Sequence, residues 1–317
     1  MTRVVHHLAG AIASYPAESR VLGLGRTVIA TAQATVLLFT PASHLFVPVG
    51  PEGVTVDCTR LPQSASAYCV TGDLDRQVTT WGLLILLVVI ASGLLPRIMS
   101  IIHVWVSLSV GMSISLPDGG ESIAQVCTIF LMLASLNDRR TWHWQAPRRD
   151  ATDSVFQGVA WAGHWGLRLQ LAYVYLNSAV AKVSVDPWQE GTATYYVARM
   201  ENFGAAGLFS DVIIWATGLT SVALLTAWGA IVTEALIAML ILQRGARQVC
   251  ALALCTGLHL MIIVQLGIVS FGLIMIGAVL CATSRGTAEV LRPAAERHRG
   301  RRAAPSTPHE APMPQKA

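Results

Sequence analysis

Stretch after stretch of apolar residues long enough to cross a lipid bilayer, parted by short polar gaps, is what most restricts the shape this chain can take. A hydrocarbon layer about 30 Å thick needs roughly 20 apolar residues per helix. Within it every backbone N–H and C=O must be paired inside the protein, which leaves only helices or closed barrels. The sequence lacks runs of about ten residues alternating in hydropathy, the mark of a barrel. The expected fold is therefore all-α, a polytopic membrane bundle of about eight transmembrane helices with one further helix lying at the outer surface. Composition agrees, since a chain 53% hydrophobic and 13% charged carries more apolar surface than a soluble core can hide.

The apolar windows fall near residues 27–46, 81–96, 98–116, 121–137, 156–183, 212–242, 246–264 and 266–284. Leu95-Pro96-Arg97 joins the second and third, where proline ends a helix. The sixth, about 31 residues, demands strong tilt or a break near Gly218. Residues 1–26 read as a retained cytoplasmic segment, because they lack an apolar run ending in a small-residue cleavage site. Residues 27–284 form the transmembrane domain. Residues 285–317 form a basic, Pro-rich tail, expected to be disordered and drawn at its start to anionic lipid.

Lys and Arg in short loops set orientation. With eight spans, Arg20 and Arg26, Arg97, Arg139, Arg140, Arg148 and Arg149, Arg244 and Arg247, and the arginines from Arg285 onward all fall on one side. Both termini are thus expected in the cytoplasm of a multi-pass cell-membrane protein. The net charge of +4 follows from this topology and gives no reason to expect a nucleic-acid partner. Cys58 and Cys69 then share an outer loop in an oxidising compartment, where a disulfide closing it is geometrically easy. A structural staple is the expected role, since redox-active pairs are more often C-x-x-C.

The fifth window carries the strongest functional signal. At about 100° per residue, His164, Arg168, Tyr175 and Lys182 fall within roughly 40° of one another over about 27 Å of helix. Ionisable groups in hydrocarbon cost roughly 2.5 kcal/mol or more each, so this face should meet protein, water or ligand. An Arg168–Glu234 pair holding the fifth and sixth spans in register is the expected structural element. Lys182 either snorkels to the outer surface or enters an outer pocket. His44, Asn177, His259 and Gln265 gather at similar depth. No H-x-x-x-H or H-E-x-x-H spacing occurs within a span, so no metal site is expected. Gly23-Leu24-Gly25 is too short a pattern to indicate a phosphate site.

Beyond Lys182, Asp186-Pro187 with Gln189 suits a capping box opening a helix to about Asn202 or Gly204. Trp188, Tyr195 and Tyr196 suit the headgroup interface. Such a helix roofs Lys182 and brings Trp188 and Glu190 near it. Desolvation there favours a neutral amine, able to act as base or nucleophile, and Glu190 opposes that shift.

The run from Arg168 through Gln170, Tyr173, Tyr175 and Lys182, followed by Trp188-Gln-Glu-Gly191 and Thr192-Ala-Thr-Tyr-Tyr196, resembles the signature of the HTTM superfamily. That superfamily includes the vitamin K-dependent gamma-carboxylases and the SdpB-like bacterial proteins. Asp138 with Trp142, and His259 with Phe271, echo it more loosely. In the carboxylases the lysine matching Lys182 acts as base on reduced vitamin K, which implies a catalytic Lys182 and a reduced naphthoquinone; His259 is the second candidate catalytic residue. The chain lacks the carboxylases' large lumenal portion, and His143 is shifted from their pattern. Its size and two-cysteine outer loop look more like the SdpB branch. That likeness implies a part in maturing or exporting a secreted antimicrobial peptide, with a small membrane protein and the peptide precursor as partners. A quinol-dependent carboxylase or epoxidase and a non-catalytic scaffold or immunity-like factor stand as alternatives.

Overall fold

The structure, a computed structural model, describes residues 2–47, 56–72, 74–115, 117–148, 154–201, 204–205 and 207–291. Among them the chain is helical, with one isolated bridge between Leu94 and Trp142. In order come α1 (Thr2–Ala13), α2 (Arg20–Phe39), α3 (Ala42–Leu45), α4 (Leu61–Ser64), α5 (Ala67–Val70), α6 (Arg76–Ser92), α7 (Pro96–Ser113) and α8 (Gly119–Ser135). Then follow α9 (Ser154–Val183), α10 (Asp186–Gln189), α11 (Ala193–Ala198), a 3-10 turn (Gly207–Phe209), α12 (Ser210–Gly218), α13 (Thr220–Ile241), α14 (Ala246–Leu266), α15 (Val269–Ala282) and α16 (Ser284–Leu291).

This is an all-helical membrane protein. Among the described residues three helices, α2, α13 and α14, are long and apolar enough to cross a bilayer, and α15 with α16 makes a fourth if that pair, bent by 71°, is one span. The segments Arg76–Ser92, Gly119–Ser135 and Gly207–Gly218 are apolar but shorter. Three expectations change, and one alternative left open, the break in the sixth window, is settled. The first span starts at Arg20 and stops at Phe39, because Pro41 ends the helix and a short turn, α3, follows. The window 212–242 is two helices, parted at Leu219, whose extended backbone (φ −80°, ψ 119°) follows Gly218. A twelve-residue helix, α1, lies within the N-terminal segment 1–26, for which no helix was expected. The tail is helical to Leu291, with Ser284, Gly286 and Thr287 buried, and the amide of Gly286 donates to Gln248 Oε1 at 2.7 Å. Its remainder, 292–317, lies outside the described residues.

Helix α2 is the shared wall between two cores. Leu22, Ile29 and Ala32 face α8, α9, α13, α14 and α15, while Ala30 and Leu37 join Leu83, Leu87, Val106 and Val110 of α6 and α7. The crossing of α2 with α15 depends on glycine: a Cβ on Gly25 would sit 2.4 Å from Cys281 Sγ and 2.8 Å from Gly277 O. Small residues let membrane helices approach where apolar burial against lipid gives little drive. The segment 56–72 is stapled by the Cys58–Cys69 disulfide, with Cα atoms 5.8 Å apart, and docks on α7 as Ala67 N donates to Ser109 Oγ.

At the other end, residues 137–148 form a polar plug. Asp138 and Arg140 make an ion pair at 2.6 Å with side chains 4% and 1% exposed, and Arg140 Nη1 donates to the carbonyls of His143 and Gln145. The His143 ring fills the space left by Gly23 and Gly93, where any Cβ would lie within 2.7 Å of it.

Candidate functional site

Ten residues of α9, from Gln157 through Arg168 to Ala179, are buried at three- and four-residue steps, so the polar face does turn inward. Its four polar members find separate sets of partners. His164 donates from Nε2 to Ala282 O at 3.0 Å, which leaves Nδ1 to accept from Tyr15 Oη at 2.9 Å. Arg168 donates to Ile241 O (3.0 and 2.9 Å) and Gln243 O (2.8 Å), and lies over the Trp165 ring. Tyr175, fully enclosed, shares its hydroxyl between His259 Nε2 at 2.9 Å and Cys255 Sγ at 3.2 Å. Lys182 meets Glu234.

The expected Arg168–Glu234 pair is thus absent, and the reason is directional. Side chains on a helix lean toward its N-terminus. Arg168 therefore reaches the C-terminal carbonyls of α13, where unpaired C=O groups and the helix dipole favour a cation. Lys182 leans the same way, back into the bundle, and Nζ bonds Glu234 Oε1 at 2.8 Å, Glu234 Oε2 at 2.9 Å and Ser178 Oγ at 2.7 Å. Ser178 in turn donates to Glu234 at 3.2 Å. The lysine side chain is 20% exposed and the glutamate 10%. Sequence reasoning passed over Ser178, although it stands one turn before Lys182 on the same face.

Above this knot the motif Trp188-x-x-Gly191 gains a physical reason. Lys182 Nζ lies over the Trp188 ring, 5.3 Å from its centre. Gly191, at φ +74°, lets the chain turn hard against α13, where a Cβ would lie 2.4 Å from Leu224 Cδ1. Thr194 donates to Ala223 O, and the Trp228 indole donates to Gln189 O at 3.2 Å. The roof is two short helices rather than one. Asp186 makes no capping bond, and Gln189 Nε2 donates to Val183 O instead. Asn202 lies outside the described residues, and Gly204 follows α11 without extending it.

Other expected members stand apart. His44, Asn177 and Glu190 are exposed, and the carboxylate within reach of Lys182 is Glu234, not Glu190. His259 is buried, packs edge-on against Phe271 at 5.3 Å, and leaves Nδ1 without a partner. Gln265 Nε2 is likewise buried and unbonded. Among the described residues no three His, Cys, Asp or Glu side chains gather as a metal site. A cavity of about 250 Å³ lies near Tyr15, Asn137, Arg139, Arg148 and Gln157. Tyr15 bonds His164, eighteen residues and so about 27 Å of helix from Lys182.

No family model matches the chain, and no solved structure does. It is 27% identical over 264 residues to the uncharacterized protein YitO of Bacillus subtilis (strain 168), covering 83% of this chain and 84% of that one. It is 26% identical over 280 residues to the sporulation-delaying protein SdpB of the same organism, covering 88% of this chain and 85% of that one. Both alignments span the knot, its roof and the helices that carry them, and along most of its length the chain is accordingly SdpB-like.

Proposed function

We propose that this is an eight-span membrane protein with both termini in the cytoplasm, taking part in the maturation or export of a secreted antimicrobial peptide. Its working part is the outer-facing polar cluster of Lys182, Ser178, Glu234 and Trp188, with Tyr175 and His259 two turns deeper. A small membrane protein and the peptide precursor are its proposed partners, alongside lipid. The observation that carries this reading is the alignment with SdpB over 88% of the chain. Loop charges support the topology, with the basic residues concentrated on one side.

The geometry favours binding over proton abstraction. An ammonium has three N–H donors, and those of Lys182 meet three acceptors in Ser178 and both oxygens of Glu234. A base needs a free lone pair aimed at its substrate. As arranged, the residues do not fit a reduced naphthoquinone with Lys182 as base. A carboxylate of a peptide can compete with Glu234 for the amine, beneath an aromatic lid.

The test compares small peptides in the medium of cells carrying and lacking the gene, by mass spectrometry. A mature peptide present only with the gene is expected. An identical peptide set in both strains removes the proposal.

A further inference from the structure

A second polar set crosses the bundle on α2, α7 and α8, away from Lys182. Gln33 Oε1 accepts from His103 Nε2 at 2.9 Å and Ser107 Oγ at 3.1 Å, and Gln33 Nε2 donates to Glu121 Oε2 at 3.4 Å. All four side chains are buried; Glu121 is 1% exposed. Glu121 Oε1 has no partner, and among the described residues no cation lies within ion-pair distance of this carboxylate. Its counterparts Glu234 and Asp138, also buried, each have one.

An unpaired ionised carboxylate in a dry interior costs far more than the neutral acid, so such a group takes up a proton instead. A small metal cation would need several converging oxygens, and the described residues offer one free oxygen here, Oε1. We propose that Glu121 is a proton-binding site, holding a proton on Oε1 that it exchanges with water on the outer side, where the first turn of α8 lies in the eight-span topology. On binding, one O–H bond forms at Oε1; no electrons move.

The charged and titratable groups facing this set are few. Arg26 on α2 lies one heptad from Gln33 and spends Nη2 on Pro96 O, with Nε unpartnered. His103 is the group on α7, and Asp118 is the neighbour on α8, capping Gly120 and Glu121. From α15 comes Ser270, donating to Asp118 Oδ2 at 3.1 Å. On α9, His164, Arg168, Tyr175 and Lys182 have their partners elsewhere, as described, and Tyr173 is exposed.

The site has a route to the rest of the molecule. A Cβ on Gly120 would lie 2.9 Å from Phe271 Cα, so the first turn of α8 is in close contact with α15, and the Phe271 ring touches His259. Releasing the proton leaves a bare anion in that turn. The outer proton concentration therefore bears on the Phe271–His259–Tyr175 contact below Lys182.

Infrared spectra of the purified full-length protein in liposomes test this. At neutral pH we expect the carbonyl band of a protonated carboxylic acid in dry surroundings, lost reversibly as pH is raised and missing from Glu121→Gln, which fills the same space without ionising. A band that survives in Glu121→Gln overturns the proposal. So does a wild-type protein with no such band, or with one indifferent to pH, whether or not the variant folds.

Discussion

Among the described residues Lys182 and Glu234 are each other's only oppositely charged partner. Removing one partner of such a pair strands the other, at a cost of about 3 kcal/mol. Lys182→Ala and Glu234→Ala should each lower the melting temperature of the detergent-solubilised protein sharply. The pair Lys182→Met with Glu234→Leu should recover most of the loss, and equal loss in all three would show that the ion pair is not what matters. His143 responds to pH in a definite sense. Burial first, then Arg26 and Arg140, push its pKa down to about 4. The unfolded chain therefore binds the extra proton between about pH 4 and 6.5, so this residue's contribution is full above that window and fades as pH falls through it, by at most about 3 kcal/mol. His143→Gln should flatten the corresponding part of the melting-temperature profile; a difference profile without slope there would contradict it. At this scale the sequence revealed which face of α9 turns inward but not its partners. Periodicity sets the face, whereas the lean of Arg168 toward the carbonyls of α13 depends on how far that helix is shifted along its axis. Gln33, His103 and Glu121 could not be joined from the sequence, because they lie in three separate apolar windows and are brought together only by the packing of three helices.

Among the elements, α2 and α15 are joined where neither can afford a side chain. Gly25→Val should abolish monodisperse folded protein, because the added atoms have Cys281 and the Gly277 carbonyl in their way. Gly257→Ala on α14 meets nothing within 4 Å and should be tolerated, as read by size-exclusion profile and yield. If both behave alike, the crossing is not the constraint described. The break at Leu219 was foreshadowed by the length of the window and by Gly218. The roof was not legible in its true form: Asp186-Pro187 reads as a helix start, but Gly191 at positive φ interrupts the helix so that the segment can fold onto α13.

Over the whole molecule, hydropathy made the all-helical class legible, since lipid permits few alternatives. The proposed eight-span arrangement would put Cys250, an exposed free thiol near the start of α14, on the cytoplasmic side; Cys127, Cys255 and Cys281 are buried and Cys58 is bonded to Cys69. A membrane-impermeant thiol reagent should leave intact cells unlabelled at Cys250 and label it after permeabilisation. Labelling from outside would invert or break the topology. The central claim, that the knot at Lys182 serves peptide production and not merely folding, is tested most directly by mass spectrometry of the peptides secreted by cells expressing the Lys182→Met, Glu234→Leu pair at wild-type abundance. We expect a folded, inserted protein and no mature peptide. Normal peptide from that variant would reduce the knot to a structural clamp and contradict the claim.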